Sequence, residues 1–264
     1  MGTSLVNLNT YHTPEKEHLS FKEKLRLNSR LYFTLKYAGT ILRSRKLAVR
    51  KLYDTKEWIN SSLEIFSFIE DTGGKFHITG LENITKSEKP VLFISNHMST
   101  METMIFPGII APRRNITFVV KESLVKHPLF GDVMRSRNPI VVSRKDPRKD
   151  FEAVMTGGME LLSKGTSVII FPQSTRSLEF KADEFNSLGV KLAKRAGVEV
   201  VPIAIKTDFW GNGKLIRELG PIDRRKHIHI KFGEPFQITG NGKEENQRII
   251  DFIQSSLEIW KTEL

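Results

Sequence analysis

The sequence predicts an α/β fold with a mostly parallel central sheet and flanking helices, preceded by an N-terminal amphipathic two-helix segment. Two observations lead to this prediction. From residue 73 onward, short apolar runs alternate with longer segments of helical periodicity, which is typical of parallel sheets with crossover helices. Before residue 73, apolar residues recur at three- and four-residue steps between basic residues, which indicates amphipathic helices. We therefore divide the 264 residues into a flexible N-terminus over 1–18, a helical pair over 19–72 and a larger domain over 73–264.

The helical pair is strongly basic, since only Glu23 and Asp54 oppose the positive charge between residues 22 and 56. The cations of this stretch are Lys22, Lys24, Arg26, Arg30, Lys36, Arg43, Arg45, Lys46, Arg50, Lys51 and Lys56. The apolar residues between them include Leu31, Tyr32, Phe33, Leu35, Tyr37, Ile41 and Leu42. A basic face opposite an apolar face suits helices that dock on a membrane surface. It equally suits a helix pair that packs on its own domain and leaves its charged side in water.

The larger domain begins after Gly73 and Gly74 and contains seven runs with strand character. In chain order they are KFHITG, PVLFIS, ITFVVK, PIVVSR, SVIIFP, VEVVPIAIK and HIHIKFG. Helical patterns lie between them in METMIFPGII, in residues 148–164 and in NSLGVKLAKRAG, and a closing amphipathic helix is expected from residue 244. This alternation predicts parallel strands joined by helices.

The composition narrows the class of function. Hydrophobic residues make up 39% and charged residues 27% of the chain, as in a globular protein with a core. The absence of Cys excludes disulfides and thiolate metal sites and fits a reducing compartment. We see neither a signal-peptide pattern nor an apolar run near the ~18 residues of a spanning helix. The excess of 41 Lys and Arg over 30 Asp and Glu suggests a polyanionic partner: nucleic acid, an anionic lipid surface or a phosphorylated substrate.

Uncommon polar residues follow four of the predicted strands. VLFI leads into His97 and TFVV into Lys121, while IVVS leads into Arg144 and VIIF into the segment that ends at Arg176. In an open α/β sheet, ligands bind beyond the carboxyl ends of the strands, where such loops converge. One imidazole and three cations at these positions indicate a site that holds a base beside an anionic substrate.

The segment SNHMSTME places His97 five positions before Glu102. This is the wrong spacing for one face of a helix with about 3.6 residues per turn. We therefore expect His97 in a loop and a helix that begins near Ser99, so that Glu102 in the first turn reaches back to the imidazole. The same residues also fit a capping box, in which Glu102 would be occupied by backbone donors instead.

NHMSTME and FPQSTRS resemble two blocks of the glycerolipid acyltransferase family that includes bacterial 1-acylglycerol-3-phosphate (lysophosphatidic acid) acyltransferases. That family is marked by Asn-His, four residues and Asp, and by a downstream Phe-Pro-Glu-Gly-Thr-Arg-Ser. FVVKESL with PIVVSRK is similar to the second block and VVPIAI to the fourth, so the resemblance runs in order from about residue 75 to 235. The preceding helical pair resembles the membrane-docking segment of some bacterial members.

The resemblance implies that residues 73–264 form an acyltransferase domain. This domain would move a fatty acyl group from an acyl thioester to the hydroxyl of a lysophospholipid, above all 1-acyl-glycerol 3-phosphate, and so form phosphatidic acid. His97 would act as general base, with Glu102 orienting the imidazole and stabilising its cation. The cations would bind the acceptor phosphate and backbone N–H groups of the FPQSTRS block would serve the oxyanion. The substrate-binding residues are therefore expected to be Lys121, Arg144, Gln173, Ser174, Thr175 and Arg176.

Two departures from the family pattern affect the acceptor headgroup and the rate more than the type of reaction. Glu102 replaces Asp, which keeps the charge and adds one methylene. Gln173 and Ser174 replace Glu-Gly, which removes a carboxylate and restricts the backbone.

Three alternatives stay open. The acceptor is glycerol 3-phosphate or another lysolipid; or the chain is a non-catalytic membrane-binding relative, for which the altered FPQSTRS argues; or the basic segment binds nucleic acid. We expect no nucleic acid, because no reader module is recognisable. The expected partners are membrane phospholipid or lysophospholipid and, as acyl donor, acyl-CoA or acyl carrier protein. No metal or other cofactor is expected, because the implied reaction requires none and the sequence contains no metal motif. His227 and His229 alternate on one strand face but form a pair without a third ligand. The expected location is the cytoplasmic face of the membrane, as a peripheral or monotopic protein.

Overall fold

The computed structural model describes residues 5–15, 25, 27, 29–173, 175–213 and 220–262, which form an α/β domain around one sheet. Its strands are β1 (Tyr11–His12), β2 (Phe76–Thr79), β3 (Leu92–Ser95), β4 (Ile116–Lys121), β5 (Ile140–Val142), β6 (Ser167–Ile170), β7 (Val200–Lys206) and β8 (Ile228–Phe232). Strands β2 to β8 coincide with the seven apolar runs. The predicted α/β fold is therefore confirmed.

The helices of the described residues flank the sheet, and all but the last lie between strands in the chain. They are α1 (Arg30–Val49), α2 (Thr55–Asp71), α3 (Met101–Ile110), α4 (Glu122–Val125), α5 (Gly131–Arg135), α6 (Pro147–Ser163), α7 (Leu188–Ala196) and α8 (Lys243–Thr262). Pro107 lies inside α3 without ending it, because the Ser62 hydroxyl of α2 accepts from Gly108 N at 2.7 Å and donates to Met104 O at 2.6 Å. This inserted hydroxyl also fixes α2 against α3.

The sheet order is β1-β2-β8-β7-β3-β6-β4-β5. Pairing is parallel except between β1 and β2 and between β7 and β8, so the mostly parallel sheet that the sequence predicts is confirmed. The strands β7, β3, β6, β4 and β5 all run in one direction. Their carboxyl ends therefore share one edge, where the loops that carry the predicted site residues emerge.

Helices cover both faces of the sheet, as the nearly continuous apolar runs of its strands require. The alternation of side chains is clear in β3, where Phe93 enters the core shared with α1, α2 and α3. Its neighbours Leu92 and Ile94 enter the core on the other face, which is shared with α6, α7 and α8. All three side chains are shielded from solvent.

Helices α1 and α2 occupy residues 30–71 of the segment for which the sequence predicts a helical pair. Ser29 and Asp54 cap their first turns through hydrogen bonds from Tyr32 N and Glu57 N. Residues 19–24, 26 and 28 lie outside the described residues. Within those that are described, no helix is long and apolar enough to cross a membrane.

The apolar residues of α1 divide between two sides, which corrects the single apolar face expected from the sequence. Phe33, Tyr37 and Ile41 are buried in the core. The rings of Phe33 and Tyr37 contact Trp210 edge-on at 4.7 and 5.1 Å. Leu31, Leu35 and Leu42 are instead exposed, at 69%, 64% and 55% of their surface. The core packing of α1 therefore does not use these leucines.

The N-terminus also differs from its prediction. The sequence predicts a flexible segment over 1–18, whereas residues 5–15 pack on the domain; residues 1–4 and 16–18 lie outside the described part. Tyr11 pairs with Ile78 at the sheet edge, and its hydroxyl donates to Glu70 at 2.7 Å. The guanidinium of Arg113 binds backbone carbonyls of this segment, including that of Leu8 at 2.7 Å. These contacts join distant parts of the chain, so the local polarity of the sequence cannot predict them.

Candidate active site

The loop between β3 and α3 carries His97 and is fastened to two other segments. The side-chain amide of Asn96 forms two hydrogen bonds with the backbone of Ile205 in β7. Its Nδ2 donates to Ile205 O and its Oδ1 accepts from Ile205 N, both at 2.9 Å. Oε1 of Gln173 accepts from the backbone N–H of His97 at 2.7 Å. The N–H of Ser177 donates to the His97 carbonyl at 2.9 Å. The backbone of His97 is therefore held from both sides of β3.

The side chains of His97 and Glu102 meet through a 2.8 Å hydrogen bond between Nδ1 and Oε1. Helix α3 begins at Met101, so that Glu102 in its first turn lies opposite the loop. The same Oε1 also accepts from Met98 N at 2.7 Å and from Ser99 N at 2.9 Å. One carboxylate thus binds both the backbone donors of the expected cap and the imidazole.

The second oxygen of Glu102 is bound by two hydroxyls. Oε2 accepts from Ser99 Oγ at 2.9 Å and from Thr207 Oγ1 at 2.8 Å. Burial of this fully enclosed carboxyl raises the pKa of Glu102, but the hydrogen bond and charge of His97, together with Ser99 N–H, outweigh it and the pKa is lowered. Glu102 is therefore ionised at neutral pH and only accepts hydrogen bonds. Nδ1 of His97 must then carry the proton, which leaves Nε2 as the basic nitrogen.

The ring of Phe171, which follows β6, fixes the plane of the imidazole. Its centroid lies 4.3 Å from that of His97, with an angle of 21° between the planes. The His97 side chain keeps 13% of its surface exposed, on the side of a cavity of about 500 Å³. The base is therefore held rigidly but remains accessible.

The cavity brings together most of the residues expected to bind substrate. Lys121 from the end of β4, Arg144 after β5, and Thr175 and Arg176 after β6 all line it beside His97. Arg176 is oriented by a hydrogen bond to the hydroxyl of Thr100. Ser174 lies outside the described residues.

The side chain of Gln173 contacts the loop of His97 and does not line the cavity. It is only 3% exposed, and its side-chain oxygen binds His97 N instead of facing the cavity. The amide that stands where the resembling motif has a carboxylate supplies this acceptor oxygen. Gln173 therefore positions the loop of the base.

The backbone at Arg144 has a left-handed conformation, with φ of 58°, which is uncommon for a residue with a Cβ. The carboxylate of Asp150 in α6 stabilises it by accepting from Ser143 N at 2.7 Å and Arg144 N at 2.6 Å. Burial lowers the pKa of the Arg144 guanidinium; Asp150 opposes this change and the neighbouring charge of Arg176 adds to it. Arg144 and Arg176 thus lie close enough to interact, an arrangement that an anionic ligand would stabilise.

The rest of the cavity wall is mostly apolar. Trp58, Phe118, Phe130 and Met134 contribute to it from α2, β4 and the region of α5. Arg137 lies over the Trp58 ring, with its guanidinium carbon 5.3 Å from the ring centroid. The cavity therefore joins a cationic part to an apolar part.

The sequence did not reveal two residues of this site. Thr207 directly follows β7, so the rule that selected His97, Lys121 and Arg144 at strand ends would have found it as well. Arg137 lies between α5 and β5, where no strand end or motif marks it. For metals, the described parts of the chain contain no group of three or more His, Cys, Asp or Glu side chains that could hold an ion.

Comparison with known proteins identifies the family of the chain. A family model described as Acyltransferase matches residues 75–206, half of the chain. A 1-acyl-sn-glycerol-3-phosphate acyltransferase of Pseudomonas aeruginosa is 31% identical over 192 residues, which cover 72% of this chain and 69% of that protein. A chloroplastic 1-acyl-sn-glycerol-3-phosphate acyltransferase of Arabidopsis thaliana is 32% identical over 158 residues, covering 59% of this chain but only 40% of the plant protein.

The fold has a solved counterpart. This chain superposes on the crystal structure of the 1-acyl-sn-glycerophosphate (LPA) acyltransferase PlsC from Thermotoga maritima with a TM-score of 0.69. The superposition covers 90% of this chain and 98% of the other. The two sequences are 21% identical. At this level of identity the likeness establishes the shared fold.

Proposed function

This chain belongs to the acyltransferase family, and we propose that it transfers a fatty acyl group from a thioester to the free hydroxyl of 1-acyl-glycerol 3-phosphate, forming phosphatidic acid. The observation that carries the proposal is the His97–Glu102 pair beside a cavity that is cationic on one side and apolar on the other. The phosphate of a lysophosphatidic acid suits the cationic part of the cavity, and its acyl chain suits the apolar part. Homologues with the corresponding name support the same acceptor.

In this proposal His97 is the general base. Nε2 removes the proton from the acceptor hydroxyl as its oxygen attacks the thioester carbonyl. Glu102 holds the Nδ1 proton and stabilises the imidazolium that forms. The tetrahedral intermediate then collapses, the carbon–sulfur bond breaks and the leaving thiolate takes the proton back from Nε2. No covalent acyl-enzyme is required, because the nucleophile belongs to the substrate.

The acceptor phosphate would lie among Lys121, Arg144 and Arg176, which line the same cavity. Arginine offers a planar pair of N–H donors to phosphate oxygens, whereas lysine acts as a point charge. Thr175 lies on the cavity wall, and its backbone N–H is our candidate donor to the oxyanion of the intermediate. The acyl chain of the acceptor would occupy the apolar part of the cavity beside Trp58, Phe118 and Phe130.

We place the protein peripherally at a membrane surface, on its cytoplasmic face, because the acceptor is a membrane lipid. We call Leu31, Leu35, Leu42 and Val49 of α1 the exposed stripe; these residues follow helical spacing and point away from the side that enters the core. Lys36 and Lys46 on the same helix, and Arg50 directly after its last residue, are exposed as well. Such a side can insert apolar groups between headgroups while its cations meet anionic lipid.

The proposed reaction is tested with purified protein and a radiolabelled acyl donor, supplied as acyl-CoA or as acyl carrier protein. The acceptors are lysophosphatidic acid, glycerol 3-phosphate and lysophosphatidylcholine in mixed vesicles. We expect label in phosphatidic acid. Faster labelling of another acceptor would reassign the headgroup, and no transfer with any pair would identify a non-catalytic relative. The ratio of the two donor rates assigns the physiological thioester.

A further inference from the structure

Thr207 lies directly after β7, at the sheet edge where the loops of the site converge, and is fully buried. Its hydroxyl lies 2.8 Å from Oε2 of Glu102 and 3.2 Å from the hydroxyl of Ser99. It belongs to none of the groups assigned above to the base, the phosphate site or the acyl chain. Its contact with the carboxylate that holds the base therefore needs an explanation.

The two oxygens of Glu102 have different partners. Oε1 accepts from Nδ1 of His97 and from the N–H groups of Met98 and Ser99, whereas Oε2 accepts from the hydroxyls of Ser99 and Thr207. The last torsion of a glutamate is broad and nearly two-fold, so the chain itself does not fix the carboxylate plane. A donor on Oε2 restricts this torsion and keeps Oε1 directed at the imidazole.

The length of the acid at position 102 bears on this contact. A glutamate has one methylene more than the aspartate of the family motif. With that reach, Glu102 contacts His97 through one oxygen and Thr207, directly after β7, through the other. Ser99 comes from the same loop as His97, so Thr207 is the partner that ties the carboxylate to β7.

We propose that Thr207 is a positioning residue for acyl transfer: its hydroxyl fixes Oε2 of Glu102 and thereby holds Oε1 on the Nδ1 proton of His97. The inference rests on the proposed role of His97 as base. Thr207 acts through the carboxylate and touches no substrate. The proposal therefore predicts an effect on turnover without an effect on substrate binding.

The test compares Thr207→Val, which keeps the shape and removes the hydroxyl, with Thr207→Ser, which keeps the hydroxyl. We expect kcat to fall about tenfold in Thr207→Val, as for loss of one hydrogen bond worth about 1.4 kcal/mol, with both KM values within about twofold of wild type. Thr207→Ser should retain most of the wild-type kcat. Thr72→Val is the matched control, because Thr72 is equally buried and its hydroxyl binds backbone carbonyls of Phe68 and Ile69.

A second measurement does not depend on turnover. The Nδ1 proton of His97 should give a low-field proton NMR signal, which is identified by its loss in His97→Gln. We expect this signal to move upfield or broaden in Thr207→Val and to stay in place in Thr207→Ser and Thr72→Val. An unchanged signal and kcat in Thr207→Val would overturn the proposal, and so would a fall in kcat that Thr207→Ser shares. If Thr207→Val does not fold, Thr207→Ala replaces it; absence of all acyl transfer would refute the proposed function, while the NMR comparison would still decide the role of Thr207.

Discussion

Nδ1 of His97 and Oε1 of Glu102 lie 2.8 Å apart, although five positions separate the two residues in the sequence. The separation is bridged because His97 is in a loop and Glu102 in the first turn of α3. The carboxylate is completely buried, whereas the imidazole reaches the cavity. A buried anion behind an accessible base is an arrangement that favours proton removal at neutral pH.

Replacing His97 should abolish most turnover. We expect His97→Ala to lower kcat by about 10²–10⁴-fold, the usual contribution of a general base. The measurement is the rate of phosphatidic acid formation at saturating substrates. Circular dichroism and the melting temperature serve as controls, because Glu102 loses its imidazole partner and remains buried. A folded His97→Ala protein with near-normal kcat would show that His97 is not the base.

Glu102 should make stability depend on pH. Its folded-state pKa is lowered below the ordinary value of 4.5, so the native state binds this proton more weakly than the unfolded state does. The stabilisation is therefore present above about pH 4.5 and is lost as the pH falls through the folded-state pKa. Urea unfolding of wild type and Glu102→Gln between pH 7 and pH 3 measures it. The difference in the free energy of unfolding between wild type and Glu102→Gln should become smaller as the pH falls. A difference that does not change with pH would contradict the prediction.

Arg176 and Lys121 should govern affinity for the acceptor. Arg176→Met and Lys121→Met keep much of the alkyl stem and remove the charge. We expect each to raise the KM for lysophosphatidic acid roughly 10–100-fold, as for loss of a charge-assisted hydrogen bond. The KM for the thioester should change little. A monoacylglycerol acceptor lacks the phosphate and serves as the control; equal impairment with it would assign these cations another role.

Gln173 should matter through its acceptor oxygen. Gln173→Leu leaves the part-buried His97 N–H without its partner, which should cost about 1 kcal/mol of unfolding free energy. Gln173→Glu restores an acceptor at the same position and should recover most of that loss. Urea unfolding at neutral pH compares the three proteins. If the leucine variant were as stable as wild type, the 2.7 Å contact with His97 N would have no energetic weight.

Sequence patterns predict the parallel part of this fold well, because strands buried on both faces must be apolar throughout. A second rule, that ligands bind beyond the carboxyl ends of the strands, predicts one site for His97, Lys121, Arg144 and Arg176. All four line the cavity at that sheet edge. Strand β1 was not predicted, because two residues are too few to show periodicity. Ile78, with which Tyr11 of β1 pairs, is also distant in sequence.

Other features depend on three-dimensional context. Helix α1 has apolar residues on two sides, so periodicity alone does not identify Phe33 as core and Leu35 as exposed. Glu102 fits both a cap and a catalytic pair by spacing, and the structure combines the two sets of contacts. The position of Thr207 after a predicted strand indicates the sheet edge, but only the fold shows that its hydroxyl contacts Glu102.

The last prediction concerns the exposed stripe of α1. Leu31, Leu35 and Leu42 are 69%, 64% and 55% exposed, so they can be changed to Ser without opening the core. Burying one such side chain in lipid is worth about 1.5–3 kcal/mol, and this contribution is insensitive to salt. Each cation beside an anionic surface adds about 1 kcal/mol, which salt screens. Wild-type binding to vesicles that contain phosphatidylglycerol should therefore weaken with salt without vanishing.

Two variants separate these contributions in a sedimentation assay. Reversal of Lys36, Lys46 and Arg50 to Glu should abolish most of the part of binding that salt weakens. The triple leucine-to-serine variant should instead lose the part that survives high salt. Ile259→Ser is the matched control, because Ile259 is 53% exposed on α8 and should leave both parts unchanged. If the triple variant still sediments fully at high salt, the stripe does not enter the bilayer, and α1 serves only to pack on the domain through Phe33 and Tyr37.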